Sequence, residues 1–205
     1  MLQCISINLN KISLVMEKTS DLEIHSIAVP STQLVYWCSL HEHIPALMNA
    51  RLAIEEVRAL HPESTPSNVK AVYMSPWGSH LLSNKFQPLI ELVENTAVEI
   101  SSRFFKADLK KLNIKPSVTD CWGVIYEESD YVNPHAHFPA DLAAVIYLEA
   151  EEGCAPIVFG DGFSITPKPA LLVMFPGSLM HAVPPNTAKR TVVAMNIHML
   201  PNFSG

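Results

Sequence analysis

The chain has 205 residues, 48% of them hydrophobic and 17% charged, so it is long enough for one folded domain and too apolar for intrinsic disorder. Its net charge of −6 comes without a basic run, which argues against nucleic acid and anionic membranes as partners. Only 7 residues are glycine, and neither the P-loop nor the dinucleotide-binding glycine motif is present, which argues against these two kinds of nucleotide site.

Localisation is predicted from the N-terminus and the cysteines. Residues 1–10 contain no basic segment and no long apolar run, so we expect no secretory signal. No apolar run is long enough to cross a bilayer. The cysteines form no C-x-x-C pair, and we expect all of them to be buried free thiols. These features predict a soluble cytoplasmic protein without membrane contacts. They are compatible with a homodimer.

The N-terminal part, residues 1–117, is predicted to contain short strands and supporting helices. Apolar residues that alternate with polar ones predict strands at 5–9 and 33–37. Apolar residues at helical spacing predict helices over 43–60 and 84–105. The proline-rich stretch between these two helices is expected to be a loop.

After Pro116 the sequence changes to short apolar runs that are separated by turn signals. Five runs are predicted to be strands: 121–126, 142–148, 156–159, 171–175 and 191–199. Several strands at this spacing, with no helix between them, predict an antiparallel sandwich or barrel. We therefore predict an α+β fold with one domain over 1–205, in which residues 118–200 form the β core.

Three histidines of the β region form a candidate metal site. His135 and His137 are two residues apart on a backbone that we expect to be extended, so both imidazoles point the same way. His181 follows a Pro-Gly turn later in the chain. Imidazole binds iron, zinc, copper or nickel, and three ligands leave open positions for other molecules. A second H-x-H, at His41 and His43, lies at a predicted helix start, where we expect a solvated surface.

These histidines lie in stretches that resemble the Fe(II)/2-oxoglutarate-dependent oxygenases. The resembling stretches are Cys121–Val124, 133–148 and 171–196, and the resemblance covers about residues 118–200. More narrowly, they resemble the 2OG-Fe(II) oxygenases of bacteria and tailed phages that carry an H-x-H motif. The resemblance implies a double-stranded β-helix, the jelly-roll or cupin-like barrel, with helices of the N-terminal half supporting it. It also implies Fe(II) and 2-oxoglutarate as cofactors, and hydroxylation of a small molecule or a protein side chain.

The resemblance implies a metal-ligand set. The wider superfamily binds iron through an H-x-D/E motif and a later histidine, and here His137 stands where the carboxylate is usual. The implied catalytic ligands are therefore His135, His137 and His181. Asp141 is the alternative carboxylate ligand, and a preference for another metal is a further alternative.

The resemblance also implies residues that bind the cosubstrate. Arg190, at the start of the last predicted strand, is implied to bind the far carboxylate of 2-oxoglutarate, because a guanidinium binds a carboxylate through two hydrogen bonds and stays charged. Tyr147 is implied to hydrogen-bond the same carboxylate. Asn196, late in the last predicted strand, is a further candidate for contact with metal-bound groups.

Two other functions fit the same residues. A cupin-type enzyme with a three-histidine metal site catalyses dioxygenation or isomerisation without 2-oxoglutarate, and it has no need of Arg190. A non-catalytic barrel that binds a metal or another ligand is the other alternative, because the site has H-x-H in place of H-x-D. The sequence does not identify the substrate under any of these interpretations.

Overall fold

A computed structural model describes residues 17–19, 22–24, 32–160 and 162–203. The chain divides into two compact units, Met1–Gln33 and Leu34–Gly205. The described part of the first unit is an antiparallel strand pair, β1 (Glu17–Thr19) and β2 (Leu22–Ile24). The strand predicted at 5–9 lies outside the described residues.

The second unit contains both predicted helices at nearly the predicted bounds. The helices are α1 (Ile44–Leu60), a single turn α2 (Ser79–Leu82) and α3 (Gln87–Phe105). Helices α1 and α3 each have a proline in the first turn, where the missing N–H leaves no hydrogen bond unmade. Helix α3 ends at Lys106, whose φ of 54° is the left-handed conformation that closes many helices.

The remaining elements are strands of two antiparallel sheets. The six-stranded sheet has the order β3 (Tyr36–Ser39), β11 (Leu171–Pro176), β8 (Leu142–Ala150), β13 (Arg190–Pro201), β6 (Ile114–Tyr126) and β5 (Tyr73–Met74). The five-stranded sheet has the order β10 (Phe163–Ile165), β9 (Ile157–Phe159), β12 (His181–Val183), β7 (Tyr131–His135) and β4 (Val69–Lys70). The architecture is thus mixed α and β with antiparallel sheets.

The five runs predicted as strands in the C-terminal part are confirmed as β6, β8, β9, β11 and β13. Strand β7 was missed because Asn133-Pro134, which has the composition of a turn, lies within it. Strands β12 and β10 have three residues each, too few for a periodic pattern. Strands β4 and β5 lie in the stretch predicted to be a loop.

The six-stranded sheet has two buried faces. One face packs against α1 and α3, and the other packs against the five-stranded sheet. Helix α1 contacts β6 closely, since a Cβ atom added to Gly123 would lie 2.4 Å from Ile54 Cγ1. Only glycine at position 123 allows this approach.

The free cysteines follow the prediction in part. Cys121 and Cys154 are buried as expected, and Cys4 lies outside the described residues. Cys38 is exposed, which corrects the prediction, because it lies on the edge strand β3, where three of the four residues are exposed. Among the described residues, no helix has the length and apolar character needed to cross a membrane.

Candidate metal centre

The structure brings His135, His137 and His181 together. One ring nitrogen from each lies within 4.8 Å of the others. The ring of His135 is 4.2 Å from that of His181, centroid to centroid, and the ring of His137 is 5.1 Å from each of the other two. This is the spacing of side chains that can hold one metal ion.

Two of these histidines are directly opposite each other in the five-stranded sheet. His135 is the last residue of β7, His181 is the first residue of β12, and the two are cross-strand partners. Side chains of opposite residues in an antiparallel pair lie on the same face. The sheet register therefore fixes this pair, although neither strand was among the predicted ones.

His137 lies in the turn after β7 and is held by Gly177. The His137 N–H donates to the Gly177 carbonyl at 2.7 Å, and the Gly177 N–H donates to the Asp141 carbonyl at 3.0 Å. A Cβ atom at position 177 would lie only 2.0 Å from the Ala140 carbonyl oxygen. The glycine of the Pro-Gly turn is therefore required for the turn that carries His137.

Each of the three imidazoles has one nitrogen occupied by a hydrogen bond. The acceptors are oxygens, which cannot donate, so each Nδ1 carries the proton and each Nε2 keeps a free lone pair. The bonds are His135 Nδ1 to Asn133 O at 3.0 Å, His181 Nδ1 to Leu179 O at 3.1 Å, and His137 Nδ1 to Asn196 Oδ1 at 2.7 Å.

Burial keeps the three rings neutral. It lowers the pKa of His137 to about 4, although the hydrogen bond to Asn196 acts in the opposite direction. It lowers the pKa of His181 to about 3, with a further contribution from the neighbouring His135. The pKa of His135 is also lowered by burial. Neutral imidazole is the form that binds metals, so the group has its ligand form at neutral pH.

The histidines and Arg190 line one cavity between the two sheets. Most of its other lining residues are apolar, and the polar exceptions are the phenols Tyr126 and Tyr147. The lining residues other than these six are Val69, Trp122, Val124, Val132, Val145, Ile157, Val183, Val192 and Ala194. Such a wall excludes water from a ligand bound beside the histidines.

Arg190 is a buried cation that contacts a backbone carbonyl and an aromatic ring. Its exposure is 2%, and its Nη1 donates to the Ala155 carbonyl at 2.8 Å. The guanidinium carbon lies 4.2 Å from the ring centroid of Tyr126. Within 32–160 and 162–203, no carboxylate pairs with Arg190, and its buried Nε has no hydrogen-bond partner. Because an unpaired buried charge is costly, this arrangement fits an anionic ligand.

Tyr147, which lines the same cavity, is 1% exposed. Burial raises its pKa and also raises the pKa of Tyr126 to about 12. Both phenols are therefore protonated at neutral pH and can donate a hydrogen bond to an anion beside Arg190.

The other two candidate residues have different surroundings from those predicted. Asp141 is not part of the histidine group: its carboxylate accepts from the Met199 N–H at 2.8 Å and lies 3.8 Å from His198 Nδ1. Asn196 contacts the histidine group at His137, and both ends of its amide make hydrogen bonds. Its Oδ1 accepts from His137 Nδ1, and its Nδ2 donates to Asp120 Oδ2 at 3.0 Å.

Sequence reasoning missed Asp120. It is opposite Asn196 in the β6–β13 pairing, next to a register shift between Asn196 and Ile197. No local pattern relates Asp120 to His137, since their connection depends on that register. His41 and His43 are exposed in a short 3₁₀ turn, as the sequence predicted.

No known family profile matches the sequence, and no curated protein is detectably similar to it. Solved structures, however, are similar in fold. A prolyl-4-hydroxylase of Pseudomonas putida has a TM-score of 0.58 at 14% identity, over 82% of this chain and 93% of that one. The viral collagen prolyl hydroxylase of Paramecium bursaria Chlorella virus-1, solved as a 2OG complex, has a TM-score of 0.53 at 15% identity, over 80% and 94%.

A third structure is a prolyl hydroxylase from Trichoplax adhaerens in complex with a peptide fragment of hypoxia inducible factor. Its TM-score is 0.59 at 14% identity, over 80% of this chain and 83% of that one. The chain has the fold of the 2OG-Fe(II) oxygenases. The resemblance seen in the sequence is thus confirmed at the level of structural neighbours, and these neighbours share less than a sixth of their residues with this chain.

Proposed function

We propose that this protein is an Fe(II)- and 2-oxoglutarate-dependent oxygenase that hydroxylates a small molecule or a protein side chain. In this proposal the two sheets form the double-stranded β-helix barrel, and the N-terminal helices support it. The observation that carries the proposal is that a neutral three-histidine group lines the same cavity as a buried arginine with which no carboxylate of the described residues pairs. The fold of the structural neighbours supports it independently.

His135, His137 and His181 are the residues that would hold the iron. Their rings are neutral, their Nδ1 atoms are fixed by hydrogen bonds, and their Nε2 lone pairs are available. The donor set of three imidazoles suits iron as well as other transition metals. When bound, iron and 2-oxoglutarate would supply the oxidation, in which decarboxylation to succinate is coupled to insertion of one oxygen atom into a substrate C–H bond.

Arg190 would bind the distal carboxylate of 2-oxoglutarate. Its buried Nε–H has no hydrogen-bond partner, which favours a ligand that accepts hydrogen bonds, and its permanent charge favours an anion. Tyr147 would donate a second hydrogen bond to the same carboxylate. The apolar remainder of the cavity would exclude water around the reacting groups.

The buried arginine also separates this function from the alternatives. A cupin-type enzyme that does not use 2-oxoglutarate would leave the Arg190 charge without a role, and so would a barrel that only binds metal. Prolyl side chains are the first substrates to test, because three of the neighbours are named prolyl hydroxylases. We expect a cytoplasmic protein without nucleic-acid or membrane partners, and the proposal is compatible with a homodimer.

An anaerobic titration of the Fe(II)-loaded full chain with 2-oxoglutarate tests the proposal. We expect the weak visible absorption that 2-oxoglutarate gives when it binds Fe(II), followed by succinate formation once oxygen is admitted with a substrate. The variant His181→Ala is the matched control, and it should give no absorption because it lacks a ligand. Iron binding without this absorption would overturn the 2-oxoglutarate assignment. Oxygen consumption without 2-oxoglutarate would then indicate a cupin-type enzyme, and metal binding without any oxygen consumption a non-catalytic barrel.

A further inference from the structure

The site contains a carboxylate that does not reach the metal ligands directly. Asp120 lies on β6, half-buried, and its Oδ2 accepts a hydrogen bond from Asn196 Nδ2 at 3.0 Å. Asn196 lies on β13, and its Oδ1 accepts from His137 Nδ1 at 2.7 Å. The three side chains form a continuous hydrogen-bonded row from a carboxylate to a ring of the histidine group, and we call this row the Asp120 relay.

The direction of each hydrogen bond in the Asp120 relay follows from the carboxylate. An ionised carboxylate can only accept, so the amide nitrogen of Asn196 must face Asp120. The amide oxygen of Asn196 must then face His137. An oxygen acceptor requires the proton of His137 to be on Nδ1, which leaves the lone pair on Nε2.

We infer that Asp120 is a positioning residue that fixes the tautomer and orientation of His137 through Asn196. This inference rests on the proposed function, because it concerns His137 as a metal ligand. In His135 and His181 the Nδ1 proton is fixed by backbone carbonyls, which always present an oxygen. His137 alone depends on a side-chain amide, and an amide can be turned end for end. Asp120 removes this freedom.

The Asp120 relay also places a negative charge near the one position where this chain departs from the usual ligand set. The common facial triad has two histidines and a carboxylate bound to the metal. Here the third ligand is a neutral imidazole, and the carboxylate lies two hydrogen bonds behind it. Partners that accept from a ligand imidazole raise its basicity, and their removal typically weakens metal binding about 10- to 100-fold.

Three variants of the full chain test the inference by separating the acceptor from the charge. Asn196→Leu removes the acceptor at similar size. Asp120→Asn removes the charge at nearly the same size and allows the Asn196 amide to turn. The double variant Asp120→Asn/Asn196→Asp exchanges the two groups, so that a carboxylate accepts directly from His137 and an amide stands behind it.

Two readouts apply to every variant. The first is the affinity for Co(II), measured in competition with a chromophoric chelator. The second is the ¹⁵N chemical shift of the His137 ring in the metal-free protein, which distinguishes a protonated Nδ1 from an unprotonated one. The control is Asp130→Asn, which removes a carboxylate that accepts from the Val72 and Glu127 backbone N–H groups and contacts none of the three histidines.

We expect the wild type to have a proton on Nδ1 of His137. Asn196→Leu should bind Co(II) about 10- to 100-fold more weakly, and Asp120→Asn about tenfold more weakly, with a mixture of tautomers. The exchanged double variant should recover the Nδ1 proton and come within about threefold of the wild-type affinity. A role in packing alone predicts no such recovery. Asp130→Asn should leave both readouts unchanged.

Wild-type tautomer and affinity in Asp120→Asn would overturn the inference, and so would a folded double variant that recovers neither. Failure of the proposed function gives a different result, since a wild type that binds no Co(II) would refute the metal site itself. The ¹⁵N shifts of the metal-free protein would still show whether Asp120 determines the tautomer of His137.

Discussion

Replacing Arg190 by methionine separates the effect of its charge on folding from its effect on ligand binding. Methionine refills the buried space without a charge. In the free protein the variant loses the hydrogen bond to Ala155 and the contact with Tyr126, worth about 1–3 kcal/mol each. It also removes a buried cation whose desolvation costs several kcal/mol. These contributions oppose each other, so we expect the free energy of unfolding to change by less than about 2 kcal/mol.

With 2-oxoglutarate present, wild type and variant should differ clearly. Loss of one partner of a buried charge pair costs about 2–5 kcal/mol, so the Kd of Arg190→Met should rise at least about 30-fold. At 100 times the wild-type Kd, the ligand stabilises the wild type by about 2.7 kcal/mol. The same concentration stabilises the variant by at most about 0.9 kcal/mol.

Thermal unfolding with and without 2-oxoglutarate measures this difference, with Zn(II) in place of iron to prevent turnover. In a chain of this size, each kcal/mol shifts Tm by about 2–4 °C. The ligand should therefore raise Tm by about 5–11 °C in the wild type and by no more than about 4 °C in Arg190→Met. The control is Arg103→Met, which removes an arginine of α3 that stacks on Phe104 outside the histidine cavity. A full shift in Arg190→Met would refute our assignment of the anion site.

Three further predictions concern the histidine group and its surroundings. Urea unfolding of the metal-free protein should show stability that is complete above pH 6.5 and declines towards pH 4, by up to about 1.4 kcal/mol per pH unit for each ring. The reason is that the unfolded chain protonates His137 and His181 near pH 6.5, and the folded chain only near pH 4 and 3. An equally steep slope in the double variant His137→Gln/His181→Gln would contradict this. Gly177→Ala should lower the free energy of unfolding by about 1–3 kcal/mol and weaken metal binding, because its Cβ would overlap the Ala140 carbonyl. The control Gly78→Ala, whose Cβ would make an ordinary 3.5 Å contact, should have little effect on stability or metal binding. Tyr147→Phe should weaken 2-oxoglutarate binding about 2- to 10-fold by calorimetry, and unchanged binding would remove this residue from the anion site.

The sequence predicted the elements that have long, regular patterns. Helices α1 and α3 and the strands β6, β8, β11 and β13 have enough residues for an apolar period to emerge. Strand β9 has only three residues and was predicted from an apolar run between turn signals. The histidine group was also predictable, because the H-x-H spacing and the later histidine are local features of unusual composition. Arg190 was identified through a resemblance, whereas its most informative property became visible only in the structure: it is buried, and no carboxylate of the described residues pairs with it.

The rest depends on pairings between distant segments. Asp141 is four residues from His137, and this proximity suggested a ligand, but the turn directs its carboxylate to the backbone of β13. Asp120 is 76 residues from Asn196, and only the antiparallel register with its bulge places them side by side. Sequence distance was misleading in the first case and uninformative in the second, because cross-strand contacts are set by register.

Strand β13 shows why this register matters for the site. Arg190, Val192 and Ala194 line the cavity, while the residues between and after them, Val193 and Met195, belong to the core beneath the helices. Both faces of the strand are apolar, so the sequence alone cannot indicate which face has the function. A slip of one residue would move Arg190 to the helix side and would also break the Asp120 relay at Asn196. The proposed anion site and the proposed positioning of His137 therefore depend on a single register, that of β13 between β6 and β8.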